Sequence, residues 1–213
     1  MAGKHNIYYR SIMGLMFLVC DVQAGMIDKD GMAPWEICGM CHSADGISLM
    51  SKFPILAGQK AAYLKSQILD FRQGRRLNDG GQMSSIVTEV DPATIDGIVG
   101  YFAGLPGPVV NLVVQPGVDQ VAYEAGKLLF EEGRSGAVAC NVCHNEGHPA
   151  APRLRAQHAA YLRKQLHDFK YERRVSQGAT VMTSIAKLLT EDDIDSISVY
   201  LHSSGSYESD VAH

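Results

Sequence analysis

The sequence predicts an all-α protein made of two tandem domains related by an internal duplication. Two observations support this interpretation. First, a Cys-x-x-Cys-His pentapeptide occurs twice, at residues 38–42 and at residues 140–144. Second, the segments after the two pentapeptides repeat each other, and their apolar residues recur with helical spacing. We therefore expect each half of the chain to form its own helical unit.

The repeat runs from a proline-containing segment, through a helix, to a methionine. Residues 54–64 align with residues 152–162, and both segments contain the sequence Ala-Ala-Tyr-Leu. Further along, Met83 aligns with Met182 after one residue of slippage. A duplication of this length predicts two domains more firmly than the length of the chain does.

Hydrophobic spacing and capping residues predict the helices of the first half. Leu64, Ile68 and Phe71 recur at i, i+4 and i+7, which predicts a helix over about residues 60–73. An Asp-Pro pair at residues 91–92 predicts the start of a second helix, because aspartate caps the first turn and proline suits its first position.

The second half repeats this pattern and adds one element. Its helices are predicted by the apolar spacing at residues 162–169 and by Thr190, which is followed by three acidic residues suited to a first turn. Residues 119–132 predict a further helix before the second pentapeptide. Only residues 25–37 separate the first pentapeptide from the amino-terminal segment, so there we expect this opening helix to be shortened or absent.

The predicted boundary between the halves is near residue 106. Proline and glycine cluster at residues 104–108 and again at 116–117, on either side of an apolar, extended segment. We therefore assign residues 25–106 to the first domain and residues 107–213 to the linker and second domain. The last residues of the chain, from 203 onwards, carry no pattern and are expected to fray.

Residues 1–24 have the features of an export signal, which predicts a protein exported from the cytoplasm. Lys4 and Arg10 give a positively charged start, a short apolar run follows, and Ala24 ends a small-residue cleavage site. The apolar run is far shorter than the about 20 residues that span a bilayer. An uncleaved segment, or a lipid anchor on Cys20, is the alternative.

The overall charge gives no support for a nucleic-acid partner. The chain has 19 Lys and Arg residues against 23 Asp and Glu residues, which gives a formal net charge of −4. Nucleic-acid-binding domains are typically basic. A polybasic membrane-binding surface has no support for the same reason.

The repeated pentapeptide is the attachment signature of c-type haem. Two thiols about one helical turn apart form thioethers with the porphyrin vinyl groups, and the adjacent histidine binds the iron. A thioredoxin-like pair normally lies in a βαβ pattern, and no such strand run surrounds either pentapeptide. Zinc-finger and zinc-ribbon spacings do not fit pairs about a hundred residues apart. A disulfide within each pair would leave the repeated histidine unexplained. We therefore expect two covalently bound haem c groups. The predicted attachment residues are Cys38, Cys41, Cys140 and Cys143, and the predicted iron ligands are His42 and His144.

Methionine is the predicted sixth ligand of both irons. Met182 is the single methionine after residue 143, and the repeat pairs it with Met83. Met40 lies between the two cysteines, and Met50 has no counterpart in the second half. Both ligand methionines are predicted to lie in polar loops. A thioether closes the coordination sphere and raises the reduction potential, which favours electron transfer over oxygen chemistry.

Other recurring side chains leave two interpretations open. One basic set forms either a solvated face or a partial neutralisation of haem propionates: Arg72, Arg75, Arg76, Lys170, Arg173 and Arg174. A second set contains candidate hydrogen-bond donors to the propionates, although its tyrosines equally suit a core: Gln59, Tyr63, Gln67, Gln157, Tyr161 and Gln165. The remaining histidines are expected to be surface or capping groups: His148, His158, His167 and His202.

Together these motifs resemble the dihaem cytochrome c4 family, whose domains have the class I cytochrome c fold. The resemblance rests on the two pentapeptides, the Pro-x-Leu-Ala-Gly-Gln segment, Tyr-Leu-x-x-Gln, Asp-Phe-Arg and the downstream methionine, and it covers residues 32–202. The chain departs from the pattern in its short lead-in and at residues 155–156, where Arg-Ala replaces Ala-Gly. The resemblance implies two cytochrome c-like domains related by a pseudo-twofold axis, with haem propionates near their interface.

The expected function is periplasmic electron transport. The resemblance implies a carrier between a dehydrogenase or quinol-oxidising complex and a terminal oxidase or reductase. The alternative is a dedicated dihaem cytochrome subunit of a dehydrogenase complex such as flavocytochrome c sulfide dehydrogenase. A dihaem peroxidase or ligand sensor would need an open iron, which the two methionines disfavour. Expected partners are redox proteins, with any peripheral membrane association made through them.

Overall fold

Helices dominate the structure, a computed structural model that describes residues 27–111, 113–134, 136–176 and 178–207. These ranges contain eight α-helices and one two-stranded antiparallel sheet, so the all-α prediction is confirmed. None of the described helices is long and apolar enough to cross a membrane. The predicted export signal at residues 1–24, with Cys20, lies outside the described residues.

The first half contains four of the helices. They are α1 (Glu36–His42), α2 (Ala61–Arg72), α3 (Gln82–Thr88) and α4 (Ile95–Gly104), the last entered through a 3₁₀ turn at Pro92–Thr94. The carboxylate of Asp91 accepts a hydrogen bond from the backbone N–H of Ala93 at 2.9 Å. This is the capping role that the Asp-Pro pair predicts.

The second half contains the other four helices. They are α5 (Gln120–Glu131), α6 (Ala159–Lys170), α7 (Ala179–Leu188) and α8 (Glu191–Ser203), with a 3₁₀ turn at Cys140–Val142 between α5 and α6. Thr190 and Asp193 form a reciprocal capping box at the start of α8, with hydrogen bonds of 3.1 and 2.8 Å. Local capping therefore sets this helix start, as the sequence predicts.

Each half has its own apolar core. In the first half, Leu64 of α2 packs with Ile98 and Phe102 of α4. In the second half, Phe130 of α5 and Leu162 of α6 pack with buried residues of α8. Burial of these helix faces is the main stabilising contribution within each half.

The two halves differ at the face of the last helix. In the second half, α5 crosses α8 so closely that a Cβ on Gly126 would overlap the backbone oxygen of Ser196. In the first half, the described residues before α1 contain no helix. There Trp35 stacks on Tyr101 of α4 with ring centroids 4.0 Å apart. Tyr101 aligns with Tyr200, which packs on α5.

The linker pairs with the end of the second half. Val109–Val110 (β1) forms an antiparallel ladder with Gly205–Ser206 (β2). Tyr207 is buried beside Ile55 and Ala156. The prediction of a frayed terminus is therefore wrong for residues 203–207, because non-local backbone pairing and one buried ring hold them. Residues 208–213 lie outside the described ranges.

We expect Gly126→Ala to lower the free energy of unfolding of the haem-loaded protein by about 1–3 kcal/mol, since the added methyl group forces α5 and α8 apart. Urea unfolding followed by helical circular dichroism measures this. Gly100→Ala is the control, because nothing lies within 4 Å of its added Cβ. That variant should be neutral or stabilising by up to about 1 kcal/mol. Equal effects would contradict the close crossing.

Candidate haem centres

Each pentapeptide coincides with a short helical element, which in the second half ends before the histidine. Helix α1 carries Cys38, Cys41 and His42. The second pentapeptide begins with the 3₁₀ turn and continues through Cys143. All four cysteines of the pentapeptides are free thiols, the form that thioether attachment requires. Burial raises the pKa of the Cys38 and Cys140 thiols to about 11.

A hydrogen bond fixes the tautomer of each histidine. His42 Nδ1 lies 2.8 Å from the carbonyl oxygen of Pro54, and His144 Nδ1 lies 3.0 Å from that of Pro152. A carbonyl only accepts, so Nδ1 carries the hydrogen and Nε2 keeps its lone pair. Burial lowers the pKa of both imidazoles, against the opposing effect of these hydrogen bonds. A neutral ring with a free Nε2 is the form that binds iron.

Both predicted ligand methionines lie in the first turn of a helix. Met83 is the second residue of α3, and Met182 is the fourth residue of α7. Both helices follow a glycine in the left-handed region, Gly81 with φ 87° and Gly178 with φ 79°, a conformation that glycine adopts without strain. The loop location that the sequence suggested is therefore wrong, while the partly buried position of both side chains suits a ligand.

An aspartate that the sequence did not point to anchors the first of these turns. The Asp79 carboxylate accepts hydrogen bonds from the backbone N–H groups of Met83 and Ser84 at 2.5 and 3.1 Å. Met40 and Met50 differ from Met83, since 67% and 54% of their surfaces are exposed. Exposure of both agrees with their exclusion as candidate ligands.

The structure divides the recurring basic residues into three groups. Arg72 and Lys170 donate to carbonyl oxygens near the ends of α3 and α7, at Val87, Val90 and Leu189. Arg75 and Arg173 form ion pairs with Asp70 and Asp168 while staying partly exposed. The third group is Arg76 and Arg174, which are both 5% exposed. The three pairs of aligned basic residues therefore have three different roles, which are helix capping, ion pairing and burial at the interface.

Arg76 and Arg174 reach across the interface in a reciprocal arrangement. Arg76 donates to Gln67 of its own half at 2.7 Å, and to Tyr161 and Gln165 of the other half at 3.2 and 3.1 Å. Arg174 repeats this pattern with Gln165 at 2.7 Å in its own half, and with Tyr63 and Gln67 across the interface at 3.1 and 2.8 Å. This symmetry agrees with the pseudo-twofold relation of the two halves.

These buried cations fit a cofactor with anionic groups. Arg76 and Arg174 have neutral partners, and within the described ranges neither forms an ion pair with a carboxylate. The Nε atom of Arg174 and one guanidinium nitrogen of Arg155 are buried without a hydrogen-bond partner among the described residues. Buried charge without a counter-charge is costly. Haem propionates would supply acceptors for the unpaired donors and further negative charge beside the guanidinium groups.

Apolar residues surround the first thiol of the second pair. A small cavity adjoins Cys140, and most of its lining is apolar, including Leu129, Ile185, Leu189 and Ile197. In the same half, Arg155 lies over the rings of Phe130 and Tyr200, 4.8 and 5.0 Å from their centroids. Each half therefore supplies paired thiols, a neutral imidazole, a thioether downstream and cationic groups.

The two glutamines of the repeated Pro-x-Leu segment hold the halves together. Gln59 exchanges two hydrogen bonds with the backbone of Arg153, and Gln157 does the same with Ile55. Their neighbours reinforce this contact: Lys60 donates to the carbonyl oxygens of Asn145 and His148, and His158 donates to that of Ser48. The recurrence of these glutamines was visible in the sequence, but their partners across the interface were not.

The other histidines play supporting roles. The Nδ1 atom of His202 lies 3.1 Å from the carbonyl oxygen of Gln157. The Nε2 atom of His167 lies 2.6 Å from Oε2 of Glu191. The hydrogen bond from His167, with a second from Lys170, lowers the pKa of Glu191 to about 2.

Comparison with known proteins identifies similar proteins and a similar solved structure. No family model matches the sequence. The chain is 37% identical over 185 residues to cytochrome c4 of Pseudomonas aeruginosa, covering 80% of this chain and 85% of that protein. It is 28% identical to a thiosulfate dehydrogenase electron acceptor of Stutzerimonas stutzeri, covering 92% and 95%. The crystal structure of reduced cytochrome c4 from Pseudomonas stutzeri matches with TM-score 0.66 and 30% identity, covering 78% of this chain and 93% of that one.

We expect Arg174→Met to lower the free energy of unfolding of the haem-loaded protein by about 2–4 kcal/mol, because three buried hydrogen bonds to a charged group are lost. Arg173→Met removes a side chain that is 56% exposed and should cost about 1 kcal/mol or less. Urea titration of both variants measures the difference. A larger loss for Arg173→Met would show that the interface does not depend on the buried arginine.

Proposed function

The chain belongs to the cytochrome c4 family, and from that premise we propose that it is a periplasmic carrier between a dehydrogenase or quinol-oxidising complex and a terminal oxidase or reductase. It is a dihaem c-type cytochrome with two covalently bound haem c groups, and it transfers electrons between redox partners. The proposal concerns the location of the carrier, its partner classes and the residues that hold the haems.

We assign one complete ligand set to each half. In the first half, residues 25–106, the haem is attached to Cys38 and Cys41, and its iron is bound by His42 and Met83. In the second half, residues 107–213, the attachment residues are Cys140 and Cys143 and the iron ligands are His144 and Met182. The observation that carries this assignment is that each histidine is fixed with Nε2 free, while each methionine lies in the first turn of a helix.

The bound haems supply reversible one-electron exchange between ferric and ferrous iron. The chain's own residues prepare each site for that exchange. The proline carbonyls orient the imidazoles, the left-handed glycines start the helices that present the thioethers, and the buried arginines offset the propionate charge. Two protein ligands per iron leave no position for oxygen or peroxide, which favours a carrier over an oxygen-activating enzyme.

Two features support the periplasmic location. Residues 1–24 have the pattern of a cleaved export signal, and haem is attached to c-type cytochromes outside the cytoplasmic membrane. Any association with a membrane is then peripheral and made through redox partners. Amino-terminal sequencing of the mature protein tests this location, because export with cleavage predicts a chain that begins at Gly25.

The second candidate function is a dedicated cytochrome subunit of a dehydrogenase complex, such as flavocytochrome c sulfide dehydrogenase. It is favoured by the similarity to a protein described as a thiosulfate dehydrogenase electron acceptor. Size-exclusion chromatography of the native protein separates the two functions. A free carrier elutes at its own mass, whereas a permanent subunit elutes with its dehydrogenase in a fixed ratio.

The ligand assignment predicts the spectra of methionine variants. Met182→Ala should remove the weak far-red absorption band of methionine-bound ferric haem for one haem and lower that haem's potential, because the thioether favours ferrous iron. Met83→Ala should affect the other haem in the same way. Met50→Ala is the control and should leave both bands intact. Haem content should stay at two per chain, since the covalent bonds from the pentapeptide cysteines to the porphyrin survive. A full band in Met182→Ala would refute the assignment.

The carrier proposal predicts electron transfer without substrate turnover. The reduced protein should be oxidised rapidly by membranes of its own organism that contain a terminal oxidase, as followed by the loss of the reduced haem bands. Alone, it should not oxidise thiosulfate or sulfide at a rate that matches a dehydrogenase. Substantial turnover by the isolated chain would contradict the proposal.

A further inference from the structure

We propose that Gln59 and Gln157 are positioning residues, and that each lowers the reduction potential of the haem in the opposite half. Each would act through the peptide group that accepts a hydrogen bond from that haem's axial histidine. This inference rests on the proposed function, because it takes His42 and His144 as iron ligands. A contact between the halves then contributes to the reduction potential of each haem.

In the second half, one peptide group joins the histidine to a glutamine of the first half. The carbonyl oxygen of Pro152 lies 3.0 Å from His144 Nδ1. The N–H of the same peptide group belongs to Arg153 and donates to Gln59 Oε1 at 2.8 Å. The contacts therefore run from the glutamine, through the peptide group, to the imidazole. The Nε2 atom of that imidazole is expected to bind iron.

The pseudo-twofold relation reproduces this arrangement in the first half. The carbonyl oxygen of Pro54 lies 2.8 Å from His42 Nδ1. The N–H of that peptide group belongs to Ile55 and donates to Gln157 Oε1 at 3.0 Å. Each glutamine thus accepts a hydrogen bond from a peptide group in the opposite half.

Further hydrogen bonds fix the orientation of both amides. Each Oε1 accepts a second N–H from the next residue, Lys60 at 3.0 Å or His158 at 3.1 Å. Each Nε2 donates to the carbonyl oxygen of Arg153 at 2.9 Å or of Ile55 at 3.0 Å. A flipped amide would oppose two N–H groups with an NH₂ group. Both glutamines are 7% exposed, so water competes little for these bonds.

The electronic consequence follows from cooperativity between hydrogen bonds. A peptide whose N–H donates carries more negative charge on its carbonyl oxygen and becomes a stronger acceptor. A stronger bond from Nδ1–H makes the imidazole a more basic ligand at Nε2. A more electron-rich ligand stabilises ferric iron, so the potential falls. Removing the glutamine should therefore raise the potential of the haem in the opposite half.

The experiment is a redox titration of the haem-loaded protein with Gln59→Leu or Gln157→Leu. Proton NMR follows each haem separately through the shifted methyl resonance of its ligand methionine, Met83 or Met182. In Gln59→Leu, the ratio of reduced to oxidised haem at a fixed potential should rise about threefold, or about 28 mV for one electron, in the second half alone. Gln157→Leu should give the same rise in the first half alone.

A second readout tests the hydrogen bond itself. In the reduced protein, the Nδ1–H resonance of His144 should move upfield in Gln59→Leu, while that of His42 stays in place. If Gln59→Leu does not fold, Gln59→Met provides an unbranched side chain of similar length. His158→Ala at pH 8 is the matched control, because it removes a neighbouring hydrogen bond across the interface without touching either peptide group.

The crossed pattern decides the outcome. A rise confined to the opposite haem supports the inference. No rise, an equal rise in both haems, a rise in the variant's own half, or the same crossed shift in His158→Ala would overturn it. Failure of the ligand assignment is seen separately, in the unaltered protein. Its histidine and methionine resonances would then lack the shifts of iron ligands, and both proposals would fall before any variant is measured.

Discussion

The hydrogen bond from each pentapeptide histidine to a proline carbonyl is the interaction on which the rest of the structure depends. It joins the helical segment that carries the thiols to the Pro-x-Leu segment, and it fixes the ring with Nε2 free. The Pro-x-Leu segment in turn carries Gln59 or Gln157, which bonds to the opposite half. The local geometry of each iron site and the docking of the two halves therefore share one short stretch of backbone.

Buried polar contacts form a large part of the interface between the halves. Arg76 and Arg174 lie buried among tyrosine and glutamine side chains, and each also lies over an aromatic ring of its own half. Two buried like charges among neutral partners disfavour association unless anions accompany them. Haem propionates would provide those anions, so docking of the halves and haem binding should stabilise each other.

Local patterns predicted α2, α4, α5, α6 and α8, but they missed α3 and α7, which the sequence placed in loops, and contacts between distant segments escaped prediction. Helix α2 and the cap of α8 follow from spacing and capping residues that act within one or two turns. The burial of Tyr207 depends on strand pairing with a linker almost a hundred residues earlier. The roles of Gln59 and Gln157 depend on a segment of the opposite half that lies about a hundred residues away in the chain. Repetition in the sequence marked these glutamines, but it carried no information about what they contact.

The duplicated halves cover the face of their last helix differently. In the second half, the twelve residues of α5 cover α8 and bury Tyr123 and Phe130 against Tyr200. In the described part of the first half, the indole of Trp35 covers the corresponding tyrosine on α4. One indole removes far less apolar surface from water than an amphipathic helix does. Within the described residues, α4 therefore has less helical cover than α8, and the first half relies on the rest of its core, which includes Ile37, Ile95 and Ile98.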